Sequence, residues 1–550
     1  MSKNYKNNDS SEDLHITYQT RLDGVEHSVE EALSDCAAHL SQVERSLFAQ
    51  IQKVGKLSGN ILNQTKSCFL TRFGISGRHF NSIRVSLQGK IDSYRSNLDR
   101  YINETFARIE ATKKTIEKLT KKEVEPEKRQ KHLLNLHHKK RRLARQEKRL
   151  EQLKSDKNSG QARLCFGSKK LFKAQFNLEA NKYNSFEEWK EDWQKARQNQ
   201  FILVGSKDET AGNQLCTATR QKDGTLTLRL RMPEALAPVH GKYVEIHGVK
   251  FEHGQGLIEA ALQDNEARRV LKNLKRESNK NYGQAITYRF LRDEKGWRVF
   301  VSTAKPSVPI KTLKHIGTIG VDLNANHVAL VETDRFGNLI NTKTISLNTY
   351  GKSKGQTEAR FGEAVKTIVA VSENTLKPIV IEDLDFSQKK PHLENSSNRQ
   401  ARMLSSFVYS KFRAFLESRA SKSGVRVYKV NPAFTSVIGR VKYASKYGLT
   451  VHHAAALVIA RRICRFSERT PSCCRNKVLI PNNKGGHVTF SLPARNRGKH
   501  VWSFWLCLVQ KIEKSGACST GSGDRVNCSI QPNAGAFGWD WGQPLSNLDW

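Results

Sequence analysis

"TIGVDLNANHVALVETDRFGNLINTKTISL", residues 318–347, decides the fold of this chain. Ile319 and Val321 alternate with small or polar neighbours, Asn324 and Asn326 supply turn chemistry, and Val328, Leu330 and Val331 restart an apolar run. The stretch predicts three antiparallel strands joined by short turns. Asp322 then stands at the end of the first strand, displayed rather than buried. A lone acid in that place ordinarily does no more than solvate a strand end, so a functional role requires partners from elsewhere in the chain.

Downstream, a long loop leads to a helix around "ARFGEAVKTIVAVSEN" and a fourth strand in "KPIVIEDLDF". Three antiparallel strands, a helix and a further strand is the order in which the RNase H and RuvC nuclease fold begins. If the fourth strand runs parallel to the first, Glu382 at its end is expected beside Asp322. Two carboxylates on neighbouring strand ends repel each other and lose hydration unless a cation lies between them. Mg²⁺ is the natural cation, and a pair of such ions about 4 Å apart activates a water and stabilises the leaving oxygen in phosphodiester hydrolysis. Asp383 and Asp385 compete with Glu382 for the second position.

Charge points to the same substrate class. The 550 residues carry 92 Lys and Arg against 53 Asp and Glu, a formal net charge of +39, which favours a polyanionic partner, nucleic acid first. The length predicts about three or four domains, and 37% hydrophobic residues suffice for real cores. No run of about eighteen apolar residues spans a bilayer, and the first twenty residues lack the apolar core of a signal peptide. A cytoplasmic, prokaryotic protein without a membrane partner is expected. The ten cysteines form no C-x-x-C pair, so neither a structural zinc nor a disulfide framework is predicted.

The expected architecture is multidomain α+β: a helical lobe and a small β-barrel followed by an RNase H-like (RuvC) α/β nuclease domain. Residues 1–20 read as a disordered N-terminus. Residues 21–160 read as a helical, recognition-type lobe, broken at "KLSGN" and "GISGR" and ending in a hairpin that turns at Pro126. The second arm of that hairpin carries "HHKKRRLARQEKR". Its nearly uniform sign rules out salt-bridge lacing, leaving a solvated face or phosphate contact, and Lys139, Lys140, Arg141, Arg142, Arg145 and Arg149 are assigned to nucleic acid. Lys169 and Lys170 join them, because Phe172, Phe176, Trp189 and Trp193 interleave with basic residues there; those aromatics serve equally well as core. Residues 161–305 hold the strand-like runs of the barrel, wedge-like in role, with a helical insertion near "EARRVLKNLKRE". Residues 306–465 form the nuclease domain, and residues 466–550 a tail without a clear role, whose tryptophans, Trp502 and Trp505 among them, suggest packing against the nuclease.

With these motifs in order, residues 165–465 resemble the TnpB (OrfB) family of transposon-encoded RuvC-like nucleases, relatives of the type V CRISPR effectors. "GVDLNANHVAL" is similar to the first RuvC motif, "IVIEDLDF" to the second, and "VNPAFTSVIGRVKYASKYGLTVHHAAALVIARR" to the stretch that leads into the third. The resemblance decides for Glu382 as the second acid. It implies an RNA-guided DNA endonuclease that uses Mg²⁺ or Mn²⁺ and takes a guide RNA and a double-stranded DNA target as partners.

Two departures stand out. The zinc ribbon that normally follows "TS" is replaced by "VIGRVKYASKYGL", without cysteine, and the third motif offers His452 and His453 where the family has an Asp. Three explanations compete: a histidine replaces the third ligand, since imidazole suits Mn²⁺ better than Mg²⁺ or holds a water; an acid such as Asp524 comes from elsewhere; or the nuclease is inert and the protein is an RNA-guided DNA binder of repressor type. A type V CRISPR effector is a further alternative. On the helix opened by "TVHHAAALVIARR", His452 shares a face with Ala455, Ala456 and Ile459, whose small side chains let the helix approach a sheet. His452 is therefore chosen over His453 to complete the site with Asp322 and Glu382, as catalytic and metal-binding residues.

Overall fold

The computed structural model describes residues 15–514 apart from 56, 122–124, 210, 274–282, 307, 325, 350, 385–405, 470–476, 482–486, 495–497 and 499. The chain divides into two compact units, one of residues 1–109 and 116–307, the other of 110–115 and 308–550.

In the first unit, strand β1 (His15–Arg21) precedes helices α1 (His27–Val54), α2 (Gly59–Phe73), α3 (Gly77–Ser96), α4 (Leu98–Thr120) and α5 (Arg129–Ser159). The first two breaks fall at the Gly-containing turns and a third at Asn97, and α4 and α5 are the predicted hairpin arms. Leu33, Leu40, Leu47 and Ile51 line one buried stripe of α1 at helical spacing. Helix α3 opens on a capping box in which Ser76 and His79 satisfy each other's backbone. Two short helices, α6 (Lys169–Ala174) and α7 (Phe186–Arg197), lead into β2 (Gln200–Leu203). Then come β3 (Cys216–Arg220), β4 (Leu226–Arg231), α8 (Ala237–His240), β5 (Tyr243–Val249), α9 (Gln255–Asn273), β6 (Thr287–Asp293) and β7 (Gly296–Ala304).

Two sequence expectations are corrected by this arrangement. Residues 15–21 are not frayed: they pair antiparallel with β7 along their whole length, from His15 opposite Ala304 to Arg21 opposite Arg298. Nor is there a closed barrel among the described residues; the strands form two open antiparallel sheets, ordered β1-β7-β6-β2 and β3-β4-β5. The buried Asn213 accounts for much of the junction between the sheets. Its amide donates to the carbonyls of Leu203 and Ile286, and its Oδ1 accepts from the amides of Leu215 and Cys216.

The second unit is built on a five-stranded sheet ordered β10-β9-β8-β11-β12. Strands β8 (Ile319–Leu323), β9 (His327–Thr333) and β10 (Leu339–Ser346) are antiparallel, as expected. Helix α10 (Lys354–Thr375) then crosses to β11 (Ile379–Glu382), which lies parallel to β8, and α11 (Ser406–Ser423) leads to β12 (Val427–Val430), parallel to β11. Strand alternation splits the sheet into two faces. Ile319, Val321, Ile379 and Ile381 pack with Phe361, Ile368, Phe412 and Leu416 of α10 and α11. Gly320, Asp322, Val380 and Glu382 face the other way.

That second face is covered by α12 (Thr435–Gly439), a π-helical turn over Arg440–Ala444, α13 (Ser445–Tyr447) and α14 (Val451–Ile463). Helix α14 is buried from Ala454 to Ala460 and approaches very closely. A Cβ on Gly320 would fall 2.0 Å from the carbonyl oxygen of Ala456, and one on Gly439 would fall 2.5 Å from the carbonyl carbon of Ala454. The hairpin of β13 (Lys477–Pro481) and β14 (His487–Ser491) precedes α15 (Val501–Lys514). Trp505, Leu508 and Ile512 of α15 share a core with Ala454, Leu457 and Val458. Part of the segment that the sequence left without a role thus packs into the second unit, and Trp505 is fully buried there. Trp539, Trp541 and Trp550 lie outside the described residues.

Candidate active site

Register places the two acids together. Ile381 is paired with Val321 across the parallel β8–β11 ladder, so Glu382 and Asp322, one residue further on, project from adjacent strand ends on the face turned to α14. Asp383, the competing acid, follows Glu382 and therefore faces the opposite side, where it pairs with Arg413 of α11 at 3.4 Å. Asp385 lies outside the described residues, as does Asp524.

Asp322 is not displayed as the sequence suggested: it is only 5% exposed, because α14 covers the strand end. Its Oδ2 accepts from Asn324 Nδ2 at 3.0 Å and lies 3.2 Å from His452 Nδ1. Glu382 Oε1 accepts from the hydroxyl of Thr435 at 2.6 Å. The two histidines of α14 separate as their 100° offset requires. His452 meets Asp322, whereas His453 turns to Thr344 at 3.1 Å and to Thr450, the N-cap of the helix, at 2.9 Å.

Three residues at the site had no role in the sequence pattern. His327 opens β9, five residues after Asp322, and its ring meets His452 edge to face with centroids 4.8 Å apart. Burial pushes its pKa below the usual imidazole range; the neighbouring His452 and His453 act in the same direction, and Asp322 opposes them. Tyr409 of α11 donates to the carbonyl of Leu323 at 2.8 Å. Burial raises its hydroxyl pKa well above normal, and the charges of Asp322 and Glu382 add to that rise. Thr435 is the third. A hairpin of β8 and β9 already brings His327 back towards Asp322, so this residue carried a local signal; Tyr409 and Thr435 come from distant helices and carried none.

The donor set consists of two carboxylates and an imidazole. Among the described residues no group of three His, Cys, Asp or Glu side chains is placed to hold a metal ion together, so His452 meets Asp322 without forming a three-ligand cluster with the two acids. Two carboxylates on one face fit the way Mg²⁺ is held, by one or two protein carboxylates with waters and substrate phosphate completing the shell.

The basic residues assigned to nucleic acid belong to the first unit. Lys140, Arg141, Arg142, Arg145 and Arg149 are exposed along α5, with Lys139 half-buried among them, and Lys169 and Lys170 are exposed on the first turn of α6. The aromatics nearby divide between the two readings left open. Trp189 is buried, and its indole donates to the carbonyl of Leu171 at 2.8 Å, whereas Phe172 and Phe176 stand exposed. No helix in the described residues is long and apolar enough to cross a membrane.

No protein-family model matches the chain, and no curated protein matches it. Solved structures similar to it at low levels include the following two. One is a structure of Thermus thermophilus RuvC, at 15% identity and a TM-score of 0.19, covering 26% of this chain and 90% of that one. The other is a cryo-EM structure of a CRISPR-Cas12f ternary complex, at 10% identity and a TM-score of 0.18, covering 81% of this chain and 98% of that one. Likenesses this slight assign no function.

Proposed function

We propose that the protein is an RNA-guided, metal-dependent DNA endonuclease of the TnpB type, with an RNase H-like nuclease domain in its second unit. The observation that carries this reading is the placement of Asp322 and Glu382 one residue beyond the last residue pair of parallel, hydrogen-bonded strands, on one face of the sheet. A sheet that needed only solvation at its end has no use for a nearly buried Asp322 beside a second acid.

In this reading Asp322 and Glu382 hold one or two divalent ions, Mg²⁺ or Mn²⁺, with His452 as the third group. The ions, once bound, supply a water of lowered pKa and charge stabilisation at the phosphate. Asn324 and His452 fix the Asp322 carboxylate, and Thr435 fixes that of Glu382. Helix α14, closely seated on Gly320, brings His452 to the strand end. In the first unit, the exposed cations of α5 and α6 bind the phosphate backbone of a guide RNA or its DNA target, a non-specific contribution that steers association.

The test is purification with co-expressed RNA, sequencing of the RNA retained, and incubation with matched double-stranded DNA in Mg²⁺ or Mn²⁺. Cleavage lost on Asp322→Ala supports the proposal. Absence of cleavage on every matched target in both metals overturns it. One observation favours an inert, RNA-guided binder instead: the third acid of the family pattern is replaced by His452. That second reading requires target binding without cutting.

A further inference from the structure

We infer that Thr435 is a positioning residue for Glu382, and that helix α15, in the C-terminal segment, holds it in place; the inference rests on the proposed nuclease function. The Thr435 side chain is buried, 3% exposed, and its hydroxyl lies 2.6 Å from Glu382 Oε1 and 3.2 Å from the carbonyl of Pro432. A hydroxyl has one proton, and the shorter bond to the charged acceptor takes it. A glutamate side chain has several rotamers, and each hydrogen bond to its carboxylate narrows the choice. Bound through Oε1, the carboxylate is held in one of them beside Asp322.

The segment that presents Thr435 is constrained from two sides. Phe434, just before it, has φ 61° and ψ 10°, a left-handed conformation that a bulky side chain rarely adopts and that persists only where its surroundings impose it. The Phe434 ring meets Trp502 of α15 edge to face, with centroids 6.4 Å apart. From α14, Arg462 donates to the carbonyls of Asn431 and Ala433, the latter at 3.0 Å, and pairs with Glu468 at 2.5 Å. Glu468 in turn accepts from the Trp502 indole at 3.2 Å, and the Arg462 guanidinium lies 5.7 Å from the centre of the Trp502 ring. A path runs from α15 through the Trp502 and Phe434 rings, along the backbone to the next residue, Thr435, and through its hydroxyl to Glu382.

The experiment compares Thr435→Val, which keeps the shape and loses the hydroxyl, with Thr435→Ser, which keeps the hydroxyl, and with Trp502→Leu. Each protein–RNA complex is titrated with Mn²⁺ alone by calorimetry, its melting temperature is recorded without metal, and the Mn²⁺ dependence of cleavage is measured in parallel. Thr435→Val should weaken Mn²⁺ binding by about tenfold at an unchanged melting temperature, as happens when a group that orients a metal ligand is removed. Thr435→Ser should match the parent, and Trp502→Leu should shift Mn²⁺ binding in the same direction as Thr435→Val. Parental Mn²⁺ affinity in a folded Thr435→Val overturns the inference, as does weakened affinity in Thr435→Ser should the valine variant fail to fold. A parent protein that neither binds Mn²⁺ nor cuts overturns the nuclease reading itself.

Discussion

His452 Nδ1 and Asp322 Oδ2 stand 3.2 Å apart, joining the first turn of α14 to the end of β8 across 130 residues of sequence. His453, the next residue, points instead to Thr344 and Thr450. In a cleavage assay His452→Ala should reduce the rate by about 10- to 100-fold, the range seen when a hydrogen-bond partner of a metal ligand is removed. His453→Ala should leave it near the parent value. Equal losses in the two variants would contradict the asymmetry of the site.

Removing either acid should be more severe. Asp322→Asn and Glu382→Gln each keep the shape of the side chain and delete the charge that holds a cation. With several kcal/mol of transition-state stabilisation at stake, cleavage should fall by about two to three orders of magnitude. Binding to guide RNA and target, measured by filter retention, should persist. Loss of binding in parallel with cutting would mean that the substitutions unfold the second unit.

Much of this sheet is legible in the sequence because burial on two faces leaves alternating marks. Ile319 and Val321 pair with Ile379 and Ile381, and the acid that follows each run inherits the other face. The choice between Glu382 and Asp383 needed more than the pattern, and strand alternation supplies it by sending Asp383 to Arg413. Thr435 was illegible: its bond to Glu382 spans 53 residues and depends on the left-handed backbone of Phe434, which no local pattern announces. β1 was misread for a different reason. Its sequence is polar because one side of this edge strand faces solvent, and half-exposed edges resemble frayed ends.

Close seating of α14 gives a packing test. Gly320→Ala puts a methyl where the Ala456 carbonyl already lies, so helix or strand must shift. Overpacking of this kind costs about 1 to 3 kcal/mol, and the melting temperature of the second unit should fall accordingly. Cleavage should fall further than the stability loss explains, because the shift carries His452 away from Asp322. A melting temperature equal to the parent's would show that the helix sits too loosely on the strand to position His452.

The first unit contains a buried imidazole that ties stability to pH. His79 sits in the capping box of α3, and burial lowers its pKa from the ordinary 6.5 to about 4. The unfolded chain therefore binds a proton that the folded chain resists. The stability this represents is complete above about pH 6.5 and is lost as pH falls to about 4, amounting to about 3 kcal/mol in all. His79→Gln keeps a capping side chain without a titrating ring. Its denaturation midpoints should fall less steeply than the parent's across that window; matching slopes would contradict the assignment.

On α5, the exposed arginines give a prediction about ionic strength. Neutralising Arg141, Arg142, Arg145 and Arg149 together should flatten the plot of log affinity against log salt by about 0.7 to 0.9 for each phosphate that is no longer neutralised. An unchanged slope would return this arm to the role of a solvated face.

Helix α14 begins at the candidate active site and is buried from Ala454 to Ala460 between the sheet and α15. One rigid rod therefore belongs both to the chemistry and to the core. His452 rides on the first turn of that rod, so the site is expected to be lost together with the domain around it. In hydrogen exchange, the buried amides of α14 should open with those of β8 and β11 as one cooperative block. Catalytic competence and folding of this unit would then be gained and lost in a single transition.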